Sequence, residues 1–353
     1  FTCFPATTSV GSNTWTLSGV TLASPDTMKV RVVDTAGNAG TVTSQKYDLD
    51  QSAPSASTIT LDSASDTGSS SSDGKTTVTT PVINGVSEAN AIITLYDTDG
   101  TTVLGTTTAD GSGKWSITSD TLSETSHTLT VKATDEAGNV GTVSSGLTVV
   151  VDLTAPTASA PNLDSGSDSG RSNSDDITSS TTPVFSGTAE VGSTVTLYDA
   201  VNTSIGSATA DGSGKWTITS SKLSEGSHNI TVKETDVAGN VSAASSALTV
   251  EIDTTVPTAP TIKLDPASDS GISSSDGITN INMPTFTGTT EGYAIINLFD
   301  TNNKTILATT TADSLGNWSV TVTQDPVTMQ PLSKTHTVTA VATDKAGNVS
   351  SKS

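Results

Sequence analysis

A short motif returns at nearly constant spacing and sets the architecture of this chain. The stretch Thr134-Asp135-Glu136-Ala137-Gly138-Asn139-Val140 contains the pattern Asp-x-Ala-Gly-Asn. Copies of the pattern start at Asp34, Asp135, Asp236 and Asp344, so they lie 101, 101 and 108 residues apart. This period is too long for a solenoid repeat and fits one small domain. The sequence therefore predicts a string of similar domains, each with one such loop.

A second motif, Asp-x-x-x-Pro, marks where one domain ends and the next begins. It occurs at Asp50–Pro54, Asp152–Pro156 and Asp253–Pro257, where proline stiffens the linker. The predicted domains are residues 1–49, the C-terminal part of a domain that matches from Trp15 onward, then 50–151, 152–252 and 253–353, the last with its final strand truncated. No signal peptide is visible at Phe1. We expect the chain to be a piece of a longer polypeptide whose targeting signal lies outside it.

The composition limits the classes of partner. The 36 acidic and 15 basic residues give a formal charge of −21, which argues against binding to nucleic acid or insertion into an anionic membrane and favours recruitment of cations. No stretch approaches the roughly 20 apolar residues of a membrane span. Cys3 is the single cysteine and excludes an intrachain disulfide framework. Metal ions are the usual substitute for disulfides in secreted domains of this kind.

The pattern within one repeat predicts an all-β fold of tandem immunoglobulin-like β-sandwich domains arranged as a rod. Short β-branched runs alternate with turn residues, giving seven strands in about 100 residues. In the domain 50–151 we label them A to G, with E starting at Trp115. The other predicted strands are Ser57–Leu61 (A), Thr79–Asn84 (B), Ile92–Tyr96 (C), Val103–Thr108 (D), His127–Thr134 (F) and Thr142–Val151 (G).

Alternating strand directions place the B–C, D–E and F–G loops with the linker at one end of each domain, here called the top. Their acids are expected to converge there and, because clustered carboxylates repel, to hold a divalent cation. Oxygen-only ligands favour Ca²⁺ over Mg²⁺, which demands octahedral geometry, and over Zn²⁺, which prefers His or Cys. The predicted top residues are Asp50, Glu88, Asp110, Asp135 and Asn139; Asp152, Glu190, Asp211, Asp236 and Asn240; and Asp253, Glu291, Asp313, Asp344 and Asn348. The alternative is a plain hairpin turn. We favour a metal site because a plain turn would need the Gly-Asn of the Asp-x-Ala-Gly-Asn motif and would not need its aspartate.

The A–B loop at the other end, the bottom, is a second candidate calcium site. Acids recur there at relative positions 1, 5 and 12, which is not the EF-hand spacing. The residues are Asp62, Asp66 and Asp73; Asp164, Asp168 and Asp175; and Asp265, Asp269 and Asp276. The alternative is a solvated polar loop held by Asx turns.

Two aromatic types also recur once per repeat. Trp15, Trp115, Trp216 and Trp318 start strand E, where a core position is favoured over a sugar-stacking platform. His127, His228 and His336 head strand F and are interpreted as one structural position. No G-x-S-x-G elbow and no isolated pair of acids is found, so we expect no enzymatic activity.

The ordered set of motifs resembles the bacterial Ig-like repeats of giant non-fimbrial adhesins secreted by type I systems. The set is D-x-x-x-P, L-D-x-x-S-D-T/S-G, G-x-x-E, A-D-G-S-G-K-W and T-D-x-A-G-N-V, and it spans the whole chain. The resemblance implies a surface rod with Ca²⁺ at and near domain junctions, and glycans on host cells as partners of some members. The last repeat departs from it at Asp313–Asn317 and in a longer E–F segment, Gln324 to Lys334, where a specialised contact is expected.

Three functions remain open on the sequence alone. The first is a calcium-stiffened, monomeric rod segment of an adhesin, bound to neighbouring repeats and directed at a host-cell surface. The second is a lectin-like module that itself binds glycan. The third is a spacer in a secreted polysaccharide-degrading enzyme.

Overall fold

The computed structural model describes residues 7–8, 15–16, 26–199, 203–300, 304–323 and 335–353. Within these ranges every regular element is a β-strand, which confirms the all-β prediction, and no helix is present that could cross a membrane. The chain divides into two compact units, Phe1–Leu153 and Thr154–Ser353. The long E–F segment at 324–334 lies outside the described residues.

The first unit holds the strands of residues 1–49 and one sandwich. The strands of residues 1–49 are β1 (Thr7–Thr8), β2 (Trp15–Thr16), β3 (Asp26–Val30) and β4 (Thr43–Tyr47). The strands of the sandwich are β5 (Thr60–Leu61), β6 (Lys75–Thr76), β7 (Val82–Val86), β8 (Ile92–Tyr96), β9 (Val103–Thr108), β10 (Lys114–Thr118), β11 (Ser126–Thr134) and β12 (Leu147–Val151).

The sandwich strands form two sheets with the orders β10-β7-β5 and β6-β12-β11-β8-β9. Predicted strand E therefore pairs with B, and predicted strand D pairs with C beside F and G. The neighbours pair antiparallel except β6 and β12, which run parallel. Strands C and F therefore lie side by side at the centre of the larger sheet, and their ends carry the loops discussed below.

The second unit repeats this arrangement. Its first domain consists of β13 (Asn162–Leu163), β14 (Ile177–Thr178), β15 (Val184–Thr188), β16 (Thr194–Asp199), β17 (Thr203–Thr209), β18 (Lys215–Thr219), β19 (Gly226–Thr235) and β20 (Leu248–Ile252). Its second domain has β21 (Lys263–Leu264), β22 (Thr285–Thr289), β23 (Ile295–Phe299), β24 (Ile306–Thr311), β25 (Asn317–Thr321) and β26 (Thr339–Thr343). The sheet orders are β13-β15-β18 and β14-β20-β19-β16-β17, then β21-β22-β25 and β24-β23-β26.

Two local differences from the predicted strands have clear causes. The A–B loop contributes an eighth short strand, β6, because Gly74 takes a positive φ of 74° and turns the chain alongside β12. Strand G begins at Leu147 and not at Thr142. Before Leu147, the hydroxyl of Ser144 accepts the Val131 N–H at 3.0 Å, so a side chain replaces a regular backbone pair there.

Each domain core is built on a tryptophan packed against a glycine. Trp115, Trp216 and Trp318 are only 4–5% exposed. A Cβ on Gly85 would lie 2.3 Å from Cζ2 of Trp115, and Gly187 and Gly288 face Trp216 and Trp318 at 2.6 Å. Strand B thus needs glycine to admit the indole of strand E. This confirms the core position for Trp115, Trp216 and Trp318 and excludes these three side chains as sugar-stacking platforms.

Candidate functional site

Each Asp-x-Ala-Gly-Asn loop is closed by a clamp between its aspartate and its asparagine. In the first complete domain the Asn139 backbone N–H donates to Asp135 Oδ1 and the Asn139 Nδ2 donates to Asp135 Oδ2, both at 2.8 Å. The same pair of bonds, each 2.8–2.9 Å long, joins Asn38 to Asp34, Asn240 to Asp236 and Asn348 to Asp344. The glycine takes a positive φ in every copy. The loop is thus a turn that uses its Asp, Gly and Asn.

This clamp corrects one step in the sequence interpretation. A turn of this type does need the preceding aspartate, because both carboxylate oxygens accept bonds from the asparagine. The hydrogen bonds from the Asn139 side chain hold the pKa of Asp135 below its ordinary value. The recurrence of this aspartate is therefore explained without a metal, and its role as a ligand stays a prediction.

The asparagine also holds the linker at the top of its domain. Asn139 Nδ2 donates to the Asp50 carbonyl at 3.1 Å, and Asn348 Nδ2 donates to the Asp253 carbonyl at 2.8 Å. The linker aspartate therefore lies next to the F–G loop, as the topology predicted for these two domains.

A glutamate from the preceding domain binds the same linker from below. Glu225 Oε2 accepts the Thr254 N–H at 2.9 Å, and its Oε1 accepts the Thr255 hydroxyl at 2.8 Å. Glu124 accepts the Leu153 N–H in the same way at 3.2 Å. The site residues predicted from the sequence do not include Glu225, although a glutamate three residues before the strand F histidine occurs in both domains 50–151 and 152–252 and was a usable signal.

Three predicted acids come within electrostatic reach of one another at the top of the last domain. Burial, and then the charges of Asp344 and Glu225, raise the pKa of Asp253. Burial, and then the charges of Asp344 and Asp253, raise the pKa of Glu291. Asp344 itself is only 2% exposed. Asp253, Glu291 and Asp344 thus form a cluster in which negative charge is disfavoured unless a cation compensates it.

The D–E aspartates have a different environment. Asp110 Oδ1 accepts the N–H groups of Ser112 and Lys114 at 2.8 and 2.9 Å, and Asp211 and Asp313 close their turns in the same way. All three side chains are exposed, and hydrogen bonds within the turns lower their pKa values. Backbone bonds join the D–E and B–C loops, as between the Ser87 N–H and the Gly113 carbonyl at 2.8 Å, so these loops do share the top. A metal role for these aspartates stays a prediction.

The remaining predicted top residues have the following positions within their own units. Glu88 and Glu190 are exposed on B–C loops. Asp152 is half-buried at the end of β12, where its N–H donates to the Thr76 carbonyl at 3.0 Å. Asp236 is 2% exposed and held by its clamp.

In the A–B loops the three acids have distinct roles. The first shapes the loop: Asp62 Oδ1 accepts the Ala64 N–H at 2.9 Å, and Asp164 and Asp265 do the same with Gly166 and Ala267. The third is exposed and accepts the N–H two residues onward, as Asp73 does from Lys75 at 3.1 Å, with Asp175 and Asp276 as copies. The first and third acids of each loop thus make Asx-type turns, and a metal role for them stays a prediction.

The middle acid of each A–B loop is left with an unsatisfied oxygen. Asp66, Asp168 and Asp269 are 5–6% exposed, and the Oδ1 atom of each is buried with no hydrogen-bond partner. Their Oδ2 atoms accept long backbone bonds of 3.2–3.3 Å. Burial, followed by the charges of Asp175 and Asp176, raises the pKa of Asp168. A buried carboxylate oxygen without a donor costs on the order of 1–3 kcal/mol or more, which a bound cation would offset.

Across the described residues no group of three or more His, Cys, Asp or Glu side chains is arranged to hold a metal ion. Calcium also takes backbone carbonyl and amide oxygens, so carboxylate geometry alone does not define its ligands. The donor set is entirely oxygen, and the unsatisfied Oδ1 atoms fit a hard cation.

Two further polar contacts escaped the sequence interpretation. The first pairs each recurrent histidine with the aspartate that ends strand C: Nδ1 lies 2.8 Å from a carboxylate oxygen in His127–Asp97, His228–Asp199 and His336–Asp300. The second is confined to the domain 152–252, where the Ser193 hydroxyl donates to Oε1 of Glu234 at 2.8 Å, and both residues are buried. The Glu190 N–H donates to the same oxygen.

Comparison with known proteins places this chain in a family. The profile of the Bacterial Ig-like domain matches residues 53–153, 154–254 and 255–353, which together cover most of the sequence. The chain therefore belongs to the Bacterial Ig-like domain family and contains three such domains in tandem.

Individual relatives are more distant. Chitinase A1 of Niallia circulans is 41% identical over 134 residues, a match that covers 36% of this chain and 17% of the chitinase. A structure described as giving insight into host cell surface retention of a 1.5-MDa bacterial ice-binding adhesin is 20% identical, covers 85% of this chain and 96% of its own, and has a TM-score of 0.28. The fibronectin(III)-like modules of Clostridium thermocellum CbhA are 18% identical and cover 56% of this chain and 94% of theirs, with a TM-score of 0.32. At these scores the structural similarities carry no functional argument.

Proposed function

We propose that this chain is a calcium-stiffened rod segment of a giant surface adhesin that attaches bacteria to host cells. The tandem Bacterial Ig-like domains and the order of their motifs support it. That order resembles the repeats of SiiE, the giant adhesin of Salmonella. In this proposal the chain is secreted and displayed at the bacterial surface, acts as a monomer and has no catalytic activity.

The observation that carries the calcium part is the unsatisfied, buried Oδ1 of Asp66, Asp168 and Asp269. A hard divalent cation supplies the positive charge that no donor in the loop supplies, and it accepts oxygen ligands in flexible geometry. The cluster of Asp253, Glu291 and Asp344 provides a second place where a cation relieves repulsion, which the raised pKa values of Asp253 and Glu291 reflect.

Melting temperatures measured in calcium and in EGTA test the calcium part of the proposal. Binding to the folded state alone stabilises it by RT ln(1 + [L]/Kd), about 2.7 kcal/mol at a hundredfold excess over Kd. We expect a higher melting temperature in calcium than in EGTA. The change Asp168→Asn should reduce the difference for its domain, and the control Glu251→Gln, at an exposed strand position of the same domain, should leave it intact. Equal melting temperatures for the parent chain in the two buffers would contradict calcium binding.

A spacer in a secreted polysaccharide-degrading enzyme is the second candidate, because 134 residues are 41% identical to part of Chitinase A1. The adhesin and spacer functions share the same domains and differ in what the rest of the protein does. A catalytic domain encoded in the same reading frame would favour the spacer.

Binding assays separate the adhesin from a lectin-like module. Binding of this fragment to a glycan array would favour a lectin. Attachment to host cells that requires the full-length protein, with no glycan bound by the fragment, would favour the stalk of an adhesin.

A further inference from the structure

The A–B loop of one domain contacts the Asp-x-Ala-Gly-Asn loop of the next inside the second unit. The Ser169 hydroxyl donates to the Ala346 carbonyl at 2.6 Å, and the Arg171 N–H donates to the Lys345 carbonyl at 3.1 Å. These residues are about 175 positions apart in sequence and belong to the domains 152–252 and 253–353. Both acceptors are backbone carbonyls, so the contact depends on the backbone conformation of the loop more than on its side chains.

Glycine at both faces allows the two backbones to meet. A Cβ on Gly170 would lie 2.0 Å from the Lys345 carbonyl oxygen and 2.7 Å from the Gly347 nitrogen. A Cβ on Gly347 would lie 2.9 Å from the Gly170 Cα. Any side chain at Gly170 would force the loops apart, because the atoms it meets are backbone and cannot rotate away.

Ala346, the alanine of the motif in the last domain, is buried at the same contact. Ala346 and Ala238 are fully buried, whereas Ala36 and Ala137 at the same place in their loops are exposed. Within its own domain the aspartate and asparagine close the loop and the glycine turns it. The alanine needs a different explanation, and burial against the neighbouring domain provides one.

We propose that the Ser-Gly of the A–B loop is a docking surface for the Ala-Gly of the following domain's Asp-x-Ala-Gly-Asn loop, and that this contact fixes the orientation of the two domains without requiring a metal ion. The inference deepens the proposed rod and does not rest on its calcium. Asp168 precedes Ser169 directly, so a cation on its free oxygen would order the same loop and add to the docking.

The chain contains a matched control position for each of the two contact glycines, Gly170 and Gly347. Gly271 occupies the position of Gly170 in the last domain with a similar φ, 115° against 98°, and a Cβ there would meet nothing within 4 Å. Gly138 likewise matches Gly347, with a φ of 89° against 92° and nothing within 4 Å. The changes Gly271→Ala and Gly138→Ala therefore introduce comparable backbone strain without the clash.

Spin-label distances on the full chain test the docking. Cysteines replace the exposed residues Thr217 and Ser319, one in each domain, in a Cys3→Ser background. We expect one narrow distance distribution for the parent chain. Gly170→Ala and Gly347→Ala should each replace it with a broad one, and Gly271→Ala and Gly138→Ala should keep it narrow. Ser169→Ala, which adds no strain, should broaden it compared with Ser270→Ala.

Repeating the measurement in calcium and in EGTA separates this inference from the calcium proposal. A parent distribution that stays narrow in EGTA and broadens with Gly170→Ala supports docking and contradicts calcium stiffening. A parent distribution that is narrow in calcium and broad in EGTA supports calcium stiffening and overturns the inference that docking fixes the orientation without a metal ion. A Gly170→Ala chain as narrow as Gly271→Ala, or a Ser169→Ala chain as narrow as Ser270→Ala, overturns the docking surface.

Discussion

At the scale of single residues, the repeated acids of this chain have separate roles that their recurrence does not reveal. Asp135 is fully used by its own asparagine, Asp62 shapes its loop, and Asp66 keeps a buried oxygen free. Each recurs once per repeat, so spacing alone gives them equal weight. Of the three, Asp66 and its copies most need a ligand that the protein chain does not supply.

The buried Ser193–Glu234 pair gives a prediction at this scale. Ser193→Ala removes the hydroxyl that donates to Glu234 Oε1, and leaving a buried carboxylate short of a donor costs on the order of 1–3 kcal/mol. The double change Ser193→Ala with Glu234→Ala should cost less than the single one, because alanine occupies both equivalent positions in the neighbouring domains. Calorimetric melting measures both variants, with exposed Ser213→Ala as the control. A double variant less stable than Ser193→Ala would contradict the coupling.

The packing of Trp216 against Gly187 gives a second prediction at the scale of single residues. Trp216→Ala should destabilise its domain by about 3–5 kcal/mol, because a large buried ring is lost and the sheet facing it cannot fill the space. Thr217→Ala, the exposed next residue, should change stability by less than about 0.5 kcal/mol. Denaturant unfolding checks both. A stable Trp216→Ala chain would mean that the core is not organised around the indole.

At the scale of strands and loops, the histidine–aspartate pairs tie the start of strand F to the end of strand C. His228 Nδ1 faces Asp199 and its Nε2 lies 3.0 Å from the Ser224 carbonyl. Both neighbours are acceptors, so the ring satisfies both when it carries two protons. Ser224 directly precedes Glu225, which binds the next linker, so the pair positions the loop that reaches the junction.

This geometry predicts a pH dependence with a definite sign. Burial alone would lower the pKa of His228, but hydrogen bonds to Asp199 and the Ser224 carbonyl, with the charges of Asp199 and Glu251, raise it overall above 6.5. A raised pKa in the folded state stabilises the domain fully below the unfolded pKa, and this stabilisation is lost as the pH rises through the folded pKa. The melting temperature of the domain 152–252 should therefore fall as the pH rises above 6.5. This fall should be smaller in the His228→Gln variant. A His228 pKa below 6.5, measured by NMR titration of the folded chain, would refute this prediction.

Much of the loop arrangement follows from sequence, because alternating strands fix which loops share an end. That reasoning placed Asp50 beside Asn139 and Asp253 beside Asn348, as found. It could not foresee contacts that depend on register across the sheet, such as His127 with Asp97, 30 residues apart. Nor could it assign the Ser169–Ala346 bond, because the partners lie in different domains and neither has a distinctive side chain.

At the scale of the whole molecule, the proposed rod gives a prediction about dimensions. A strand of about 10 residues at roughly 3.3 Å per residue makes each domain about 35 Å long, so three and a half domains in line would span roughly 120–130 Å. If calcium, and not loop docking, holds the junctions, small-angle scattering should show this length with little flexibility in calcium, and a broader, more compact ensemble in EGTA as like charges repel at the junctions.

A salt control identifies the cause of that change. Sodium chloride at about 1 M reduces the Debye length to about 3 Å and should partly restore the extended form in EGTA if repulsion is responsible. A maximum dimension and flexibility that do not respond to calcium removal would refute the stiffening mechanism.

The Ser193–Glu234 pair also bears on how such an array can change over generations. Recombination between the repeated segments of a gene can join part of one domain to part of another. A crossover between codons 193 and 234 would join Glu234 to an alanine-type partner and leave a buried carboxylate underbonded. Exchanges at the linkers keep the two residues together. The pair therefore favours inheritance of the segment 193–234 without an exchange inside it.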